Sequence, residues 1–170
     1  MTVWFVVLFL FIIAQRLIEV VVAKRNEKWM LRHGAIEIAG GHYKWIVLVH
    51  TLFFVSVGLE AWNNELVLSD WKGFLLGAFF VTQGFRIWCL TSLGRFWNTK
   101  IIVLPGADLV AKGPYKWMKH PNYVVVGLEF VIIPLLFNAY MSAVLFPLLH
   151  LALMKIRIPH EERALTKLSE

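Results

Sequence analysis

Apolar residues in this chain come in long runs separated by short polar stretches. Thr2 to Val22 is the first run, close to the ~20 residues a membrane-spanning helix needs. It has no basic start and no small-residue cleavage site, so it reads as a span and not as a cleaved leader. A polar connection follows from Lys24 to His42, with a break at Gly40-Gly41. Tyr43 to Glu60 is the second run, Ala61 to Asp70 a short acidic loop, and Trp71 to Leu93 the third run. Gly94 to Asn122 forms a long central loop. Tyr123 to Phe137 and Tyr140 to Met154 are two further runs; Asn138-Ala139 between them leaves room only for a tight turn, which predicts a helical hairpin. A charged tail runs from Lys155 to Glu170, where Pro159 is expected to break or cap the last helix and start a new one. The pattern predicts an all-α integral membrane protein, a single domain over 1–170, with five spans at 2–22, 43–60, 71–93, 123–137 and 140–154.

Composition supports the class. The chain is 59% hydrophobic and 16% charged, too apolar for an ordinary soluble domain, and its mean hydropathy is +0.66. The net charge of +6 does not point to nucleic acid, because the cations sit in loops between apolar runs. Those loops alternate in sign. Lys24, Arg25, Lys28, Arg32 and Lys44 surround the first connection; Arg95, Lys100, Lys112, Lys116 and Lys119 lie in the central loop; Lys155, Arg157, Arg163 and Lys167 lie in the tail. The acidic loop falls on the other side. The positive-inside rule then predicts an outside N-terminus, with the central loop and tail in the cytoplasm. The lone Cys89 sits in an apolar run and reads as a buried structural thiol. The six histidines are scattered, which argues against a metal centre.

Polar residues inside or beside the spans are the candidates for chemistry. Arg16 and Glu19, three apart, can pair on one helix face. Arg86 and Glu129 lie within spans, and an intramembrane carboxylate such as Glu129 is a functional candidate by default. The stretch from Lys112 to Tyr123 combines a Gly113-Pro114 break, three lysines and a His120-Pro121 pair that opens the next run. Pro121 suits a first helical turn, which puts His120 at a helix mouth whose free N–H groups favour an anion. In the tail, Glu161 and Glu162 stand beside Arg157 and Arg163, a set able to hold an ammonium or a ribose diol. Taken alone, each cluster also reads as a positive membrane-face loop or a solvated amphipathic tail.

Together, Gly113-Pro114-Tyr115, Lys119-His120-Pro121-Asn122-Tyr123, the hairpin to Met154 and Glu161-Glu162-Arg163-Ala164-Leu165 resemble the isoprenylcysteine carboxyl methyltransferase family of membrane enzymes. The segments Arg25-Asn26-Glu27-Lys28-Trp29, His42-Tyr43 and Gly94-Arg95-Phe96-Trp97 are similar to a bacterial subgroup thought to methylate lipid-like molecules such as alkylpyrones. Lys119 stands where the family usually has Arg, and the usual Tyr-x-Gly is stretched to Tyr123-Val124-Val125-Val126-Gly127. The resemblance implies S-adenosylmethionine bound at the cytoplasmic face, among the central loop, the hairpin and the tail. Leu109, Val110, Gly113, Tyr115, His120, Asn122, Tyr123, Glu161 and Glu162 would surround it. It also implies O-methylation of an acidic hydroxyl or carboxyl on a lipophilic acceptor that arrives from the membrane lipid of a bacterial cell. Lys119 or Arg157 would orient that acceptor, with Glu129 as a further candidate. A sterol-reductase-like NADPH enzyme and a non-enzymatic scaffold or transporter subunit are the competing readings.

Overall fold

The computed structural model describes residues 2–38, 41 and 43–169; Gly40 of the expected break and His42 of the family resemblance lie outside them. Five α-helices make up most of it: α1 (Thr2–Arg32), α2 (Tyr43–Asn63), α3 (Lys72–Leu93), α4 (Pro121–Leu136) and α5 (Tyr140–Ser169). Four are long and apolar enough to cross a membrane, and α4 is a shorter apolar helix. Large apolar side chains such as Trp4, Leu10, Leu17, Phe74, Val81, Met141 and Leu148 face outward. In water that surface would be costly, and in lipid it is the appropriate one, so this is an integral membrane protein with almost no sheet.

Two expectations are corrected. The first helix does not stop at Val22 but continues to Arg32. Lys24 to Lys28 are polar, yet the stretch to Arg32 is rich in good helix formers, so the helix simply leaves the apolar layer without unwinding. Its real stop is Gly34, at φ +89°. There the amide of Ala35 donates to the Met30 carbonyl at 3.1 Å and that of Gly34 to Leu31 at 3.2 Å, closing the last turn in a Schellman motif. At the other end of the chain, Pro159 does not break the last helix. α5 runs unbroken through Pro147 and Pro159, so Glu161 and Glu162 lie within a continuing helix and not in the first turn of a new one. Each proline removes one backbone bond. Side-chain anchors on either side of Pro159 hold the helix together: Arg157 before it, and Glu161 and Ala164 after it.

With 31 and 30 residues, α1 and α5 are each about 45 Å long, well over the ~30 Å hydrocarbon layer. Their polar C-terminal ends meet the central loop. Ile36–Glu37 (β1) pairs antiparallel with Ile102–Val103 (β2), in register Ile36 to Val103. Ala164 of α5 packs under Ile101 and Val103. Asn26 of α1 donates to the carbonyls of Gly94 and Trp97, at 3.2 and 2.8 Å, and Arg95 lies over the Trp29 ring. Two of the three segments that resembled the bacterial subgroup, Arg25 to Trp29 and Gly94 to Trp97, are therefore in contact. At the opposite end, an aromatic core of Phe5, Phe53, Phe79, Phe130, Phe137 and Phe146 joins all five helices. The α4–α5 turn is as tight as expected, with Asn138 in the left-handed region (φ 55°) and the Ala139 amide donating to the Pro134 carbonyl at 2.8 Å.

Candidate functional site

Three elements converge on one group of side chains. The stretch before α4 is fixed by Gly113, whose φ of +54° lets the chain turn against α3. A Cβ there would overlap the Ser92 hydroxyl and come within 2.9 Å of Trp88 Nε1, so only glycine fits. Tyr115 follows, partly buried in a short 3₁₀ turn, Gly113–Lys116. Burial pushes its phenol pKa up, and the neighbouring Cys89 and Glu161 add to the shift. His120 is the residue before the first turn of α4, with Pro121 in that turn, as the sequence suggested.

Tyr123 is the hub. Its hydroxyl donates to Glu161, one helical turn past Arg157 on α5, and accepts from Arg157 Nε at 2.6 Å. Arg157 is 4% exposed, and its Nη2 donates to the Thr99 carbonyl at 2.8 Å. The backbone carbonyl of Tyr123 accepts from His150 Nε2 at 2.9 Å. The His120 ring stacks on Tyr123 and reaches Glu162 at 3.3 Å, and Lys119 Nζ lies 3.4 Å from the same carboxylate. Two buried polar atoms in this region have no partner among the described residues, Asn122 Oδ1 and Arg157 Nη1. A buried group left unpaired in this way is costly, so such atoms mark places where a ligand is useful.

The structure thus brings together His120, Tyr123, Arg157, Glu161 and Glu162, with Tyr115 and Asn122 alongside. Leu109 and Val110 lie in the extended stretch ahead of Gly113, Leu109 exposed, and no hydrogen bond or ion pair of theirs joins them to the cluster. Lys119 is 81% exposed, at the rim. Glu129 is elsewhere. It is 4% exposed and accepts from Arg16 at 2.5 Å, Gln83 at 2.7 Å and Arg86 at 2.9 Å. Arg86 also binds Glu19, which pairs with Arg16 at 2.8 Å, so four alternating charges close a ring across α1, α3 and α4. Arg86 does not snorkel outward; it is buried in that ring.

Sequence reasoning missed His150 and Thr99. The first had a signal, a lone imidazole in an apolar run. Thr99 contributes a backbone carbonyl, which no side-chain pattern reveals.

Comparison with known proteins adds the lineage. The chain is 45% identical over 158 residues to the uncharacterised protein YpbQ of Bacillus subtilis, covering 93% of this chain and 94% of that one. It is 23% identical over 158 residues to an uncharacterised protein of Haemophilus influenzae, covering 92% of each. The family model for isoprenylcysteine carboxyl methyltransferases matches residues 74–167, over half of the chain and the whole of the cluster built around Tyr123. This membrane protein therefore belongs to the isoprenylcysteine carboxyl methyltransferase family.

Proposed function

We propose that the protein is an S-adenosylmethionine-dependent O-methyltransferase. Its acceptor is a lipophilic molecule with an acidic hydroxyl or carboxyl, and its site faces the cytoplasm of a bacterial cell. The observation that carries this reading is the meeting of the two motifs through Tyr123, Glu161 and Arg157, with His120 and Glu162 beside them. The donor set fits the cofactor. Two adjacent carboxylates suit an ammonium and a ribose diol, and Asn122 Oδ1 is a buried acceptor in need of a donor. Gly113, Tyr115, His120, Asn122, Tyr123, Glu161 and Glu162 are the holding residues in this reading, with Leu109 and Val110 lining the approach.

When bound, S-adenosylmethionine supplies a methyl group on a positively charged sulfur. The protein's part is positioning and exclusion of water. Arg157 is the cation best placed to orient an anionic acceptor, because it is buried and Nη1 has no partner among the described residues. It needs no proton chemistry, since an acidic enol or carboxyl is already ionised. Lys119, exposed and beside Glu162, adds to the positive field at the rim. Glu129 is left out, because its carboxylate is already engaged by Arg16, Gln83 and Arg86. The nicotinamide-reductase and scaffold readings have no comparable support.

The test is cofactor binding to detergent-solubilised protein, followed by transfer of labelled methyl to a lipid extract. Micromolar affinity is expected, about −8 kcal/mol. His120→Ala and Glu162→Ala should each weaken it, whereas Arg157→Ala should cut turnover more than cofactor affinity. Acceptors shortened by several methylenes should lose kcat/KM steeply, at ~0.8 kcal/mol per CH₂. Unchanged cofactor binding in both the His120 and Glu162 variants would remove the basis of the assignment.

A further inference from the structure

A cavity of about 470 Å³ opens where the projecting end of α1 faces the start of α2 and the central loop. Lys24, Glu27 and Lys28 line it from one side, and Tyr43, Thr99 and Lys100 from the other. Its charges are not balanced. Lys100 is committed to Glu27 at 2.7 Å and to Glu37 at 3.2 Å, and those contacts, the Glu27 hydrogen bond first, raise its pKa. Lys24 and Lys28, one helical turn apart, have no ion pair among the described residues, and with Glu37 counted beside Lys100 the cleft keeps an excess of one positive charge. Two like charges so placed repel, and an anion between them removes that cost.

The surroundings narrow the kind of anion. One turn further into the membrane from Lys24, α1 presents Val20 at the cavity wall, and beyond it Leu17 is exposed on the lipid-facing surface. A head at the lysines therefore has an apolar track leading away from it, as an amphiphile requires. On its other side the cavity is one residue from the Tyr123 cluster. The Thr99 hydroxyl lies 3.3 Å from the Tyr43 hydroxyl, and the Thr99 carbonyl is held by Arg157, which in turn holds Tyr123.

We infer that this cleft receives the anionic head of a single-chain amphiphile, the methyl acceptor of the reaction proposed above, with Lys24 and Lys28 as its counter-charges. The inference rests on that reading for the word acceptor, but the anion site stands on the cleft itself. Lys24 and Lys28 capture the head as it enters, and Arg157, which reaches the cleft wall at Thr99, takes over the ionised oxygen for transfer, while the cofactor cluster keeps its own access.

Dodecyl phosphate, titrated by calorimetry into the protein in neutral maltoside micelles, is the probe. The wild type should bind it roughly 10- to 30-fold more tightly than the Lys24→Gln/Lys28→Gln double variant. The Lys24→Arg/Lys28→Arg variant should retain that affinity. Both lysines are exposed, so the variants should fold, and their unchanged S-adenosylhomocysteine binding serves as the check. In methyl transfer to a lipid extract, dodecyl phosphate should compete with the acceptor and not with the cofactor. Equal binding by the double variant overturns the inference. So does inorganic phosphate or phosphatidylglycerol binding as tightly as dodecyl phosphate, since the cleft would then be a free-anion or bulk-lipid site. Binding without inhibition of transfer also overturns it. Failure of the wild type to bind S-adenosylhomocysteine is a different result: it sinks the methyltransferase reading and leaves the anion site standing.

Discussion

Gly113 is the residue that leaves the central loop least freedom. Replacement by Ala would drive a methyl group into Ser92 at a backbone angle that favours glycine. Gly113→Ala should lower stability by about 1–3 kcal/mol and weaken cofactor binding, because Tyr115 moves with it. Thermal unfolding in detergent and a binding titration measure the two effects. The charge ring makes a sharper test. Arg86→Met leaves the buried Glu129 and the half-buried Glu19 to share Arg16, at a cost of about 3–5 kcal/mol. Removing Glu129 as well, as Arg86→Met/Glu129→Leu, leaves the neutral Arg16–Glu19 pair and should recover much of the loss. Unfolding of single and double variants decides it; a double variant no better than the single would mean that the charges are not balanced as a set. At this scale the cluster around Tyr123 was legible, because its members fall in two short motifs. The ring was only half legible. Arg16 with Glu19 is a local pair, but Glu129 lies 113 positions from Arg16, and nothing in the spacing joins them.

Among the elements, α5 shows how one helix start is stabilised from another helix. Its amides at Met141 and Ser142 donate to the carboxylate of Glu60, at 3.0 and 2.8 Å, and the Ser142 hydroxyl donates at 2.6 Å. A negative group at a helix N-terminus satisfies orphan donors and meets the positive end of the dipole. Glu60→Gln should cost about 0.5–2 kcal/mol, read from the unfolding midpoint, without changing cofactor affinity. The helix ends were the least legible part of the fold. Polarity suggested that α1 stopped at Val22, yet a helix outside lipid needs propensity, not hydrophobicity, and Lys24 to Arg32 have it. His33-Gly34 carried the true stop signal. Pro159 misled for the opposite reason: a local breaker was outweighed by tertiary contacts of Arg157, Glu161 and Ala164.

For the whole molecule, the apolar runs were enough to give the class and the order of helices, because lipid leaves a spanning chain few alternatives. α4 needs more comment. Its 16 residues reach only about 24 Å, short of the hydrocarbon layer, and it is heavily buried, with Val125, Val126, Glu129, Phe130 and Ile133 all inside. We propose that such a helix crosses as part of a bundle. Counting it as a crossing gives five, so the proposed arrangement has the N-terminus outside and the C-terminus in the cytoplasm. Reporter fusions at residue 65 should read as outside and those after residue 167 as cytoplasmic. A cytoplasmic signal at 65 would invert the arrangement and move the Tyr123 cluster away from any cytosolic cofactor.

The pairing of Arg16 with Glu19 has a consequence for how the chain is made. The ribosome releases α1 long before α3 and α4 exist. At about 5–20 residues per second, Glu129 follows Arg16 after roughly 6 to 20 s. For that interval Arg16 and Glu19 must sit in or near the bilayer with no other helix to answer them, and each lone charge costs about 2.5–3.5 kcal/mol at a span's centre. Spaced three apart, they answer each other at 2.8 Å. The apolar part of the nascent helix can therefore enter the membrane without net charge and exchange partners later. Glu19→Ala should reduce insertion of α1 expressed as an isolated segment fused to a glycosylation reporter. Glu129 is not part of that segment, and Glu129→Ala in the full chain should weaken only the finished bundle. If the Glu19→Ala segment inserts as well as the unaltered one, the early pairing has no part in biogenesis.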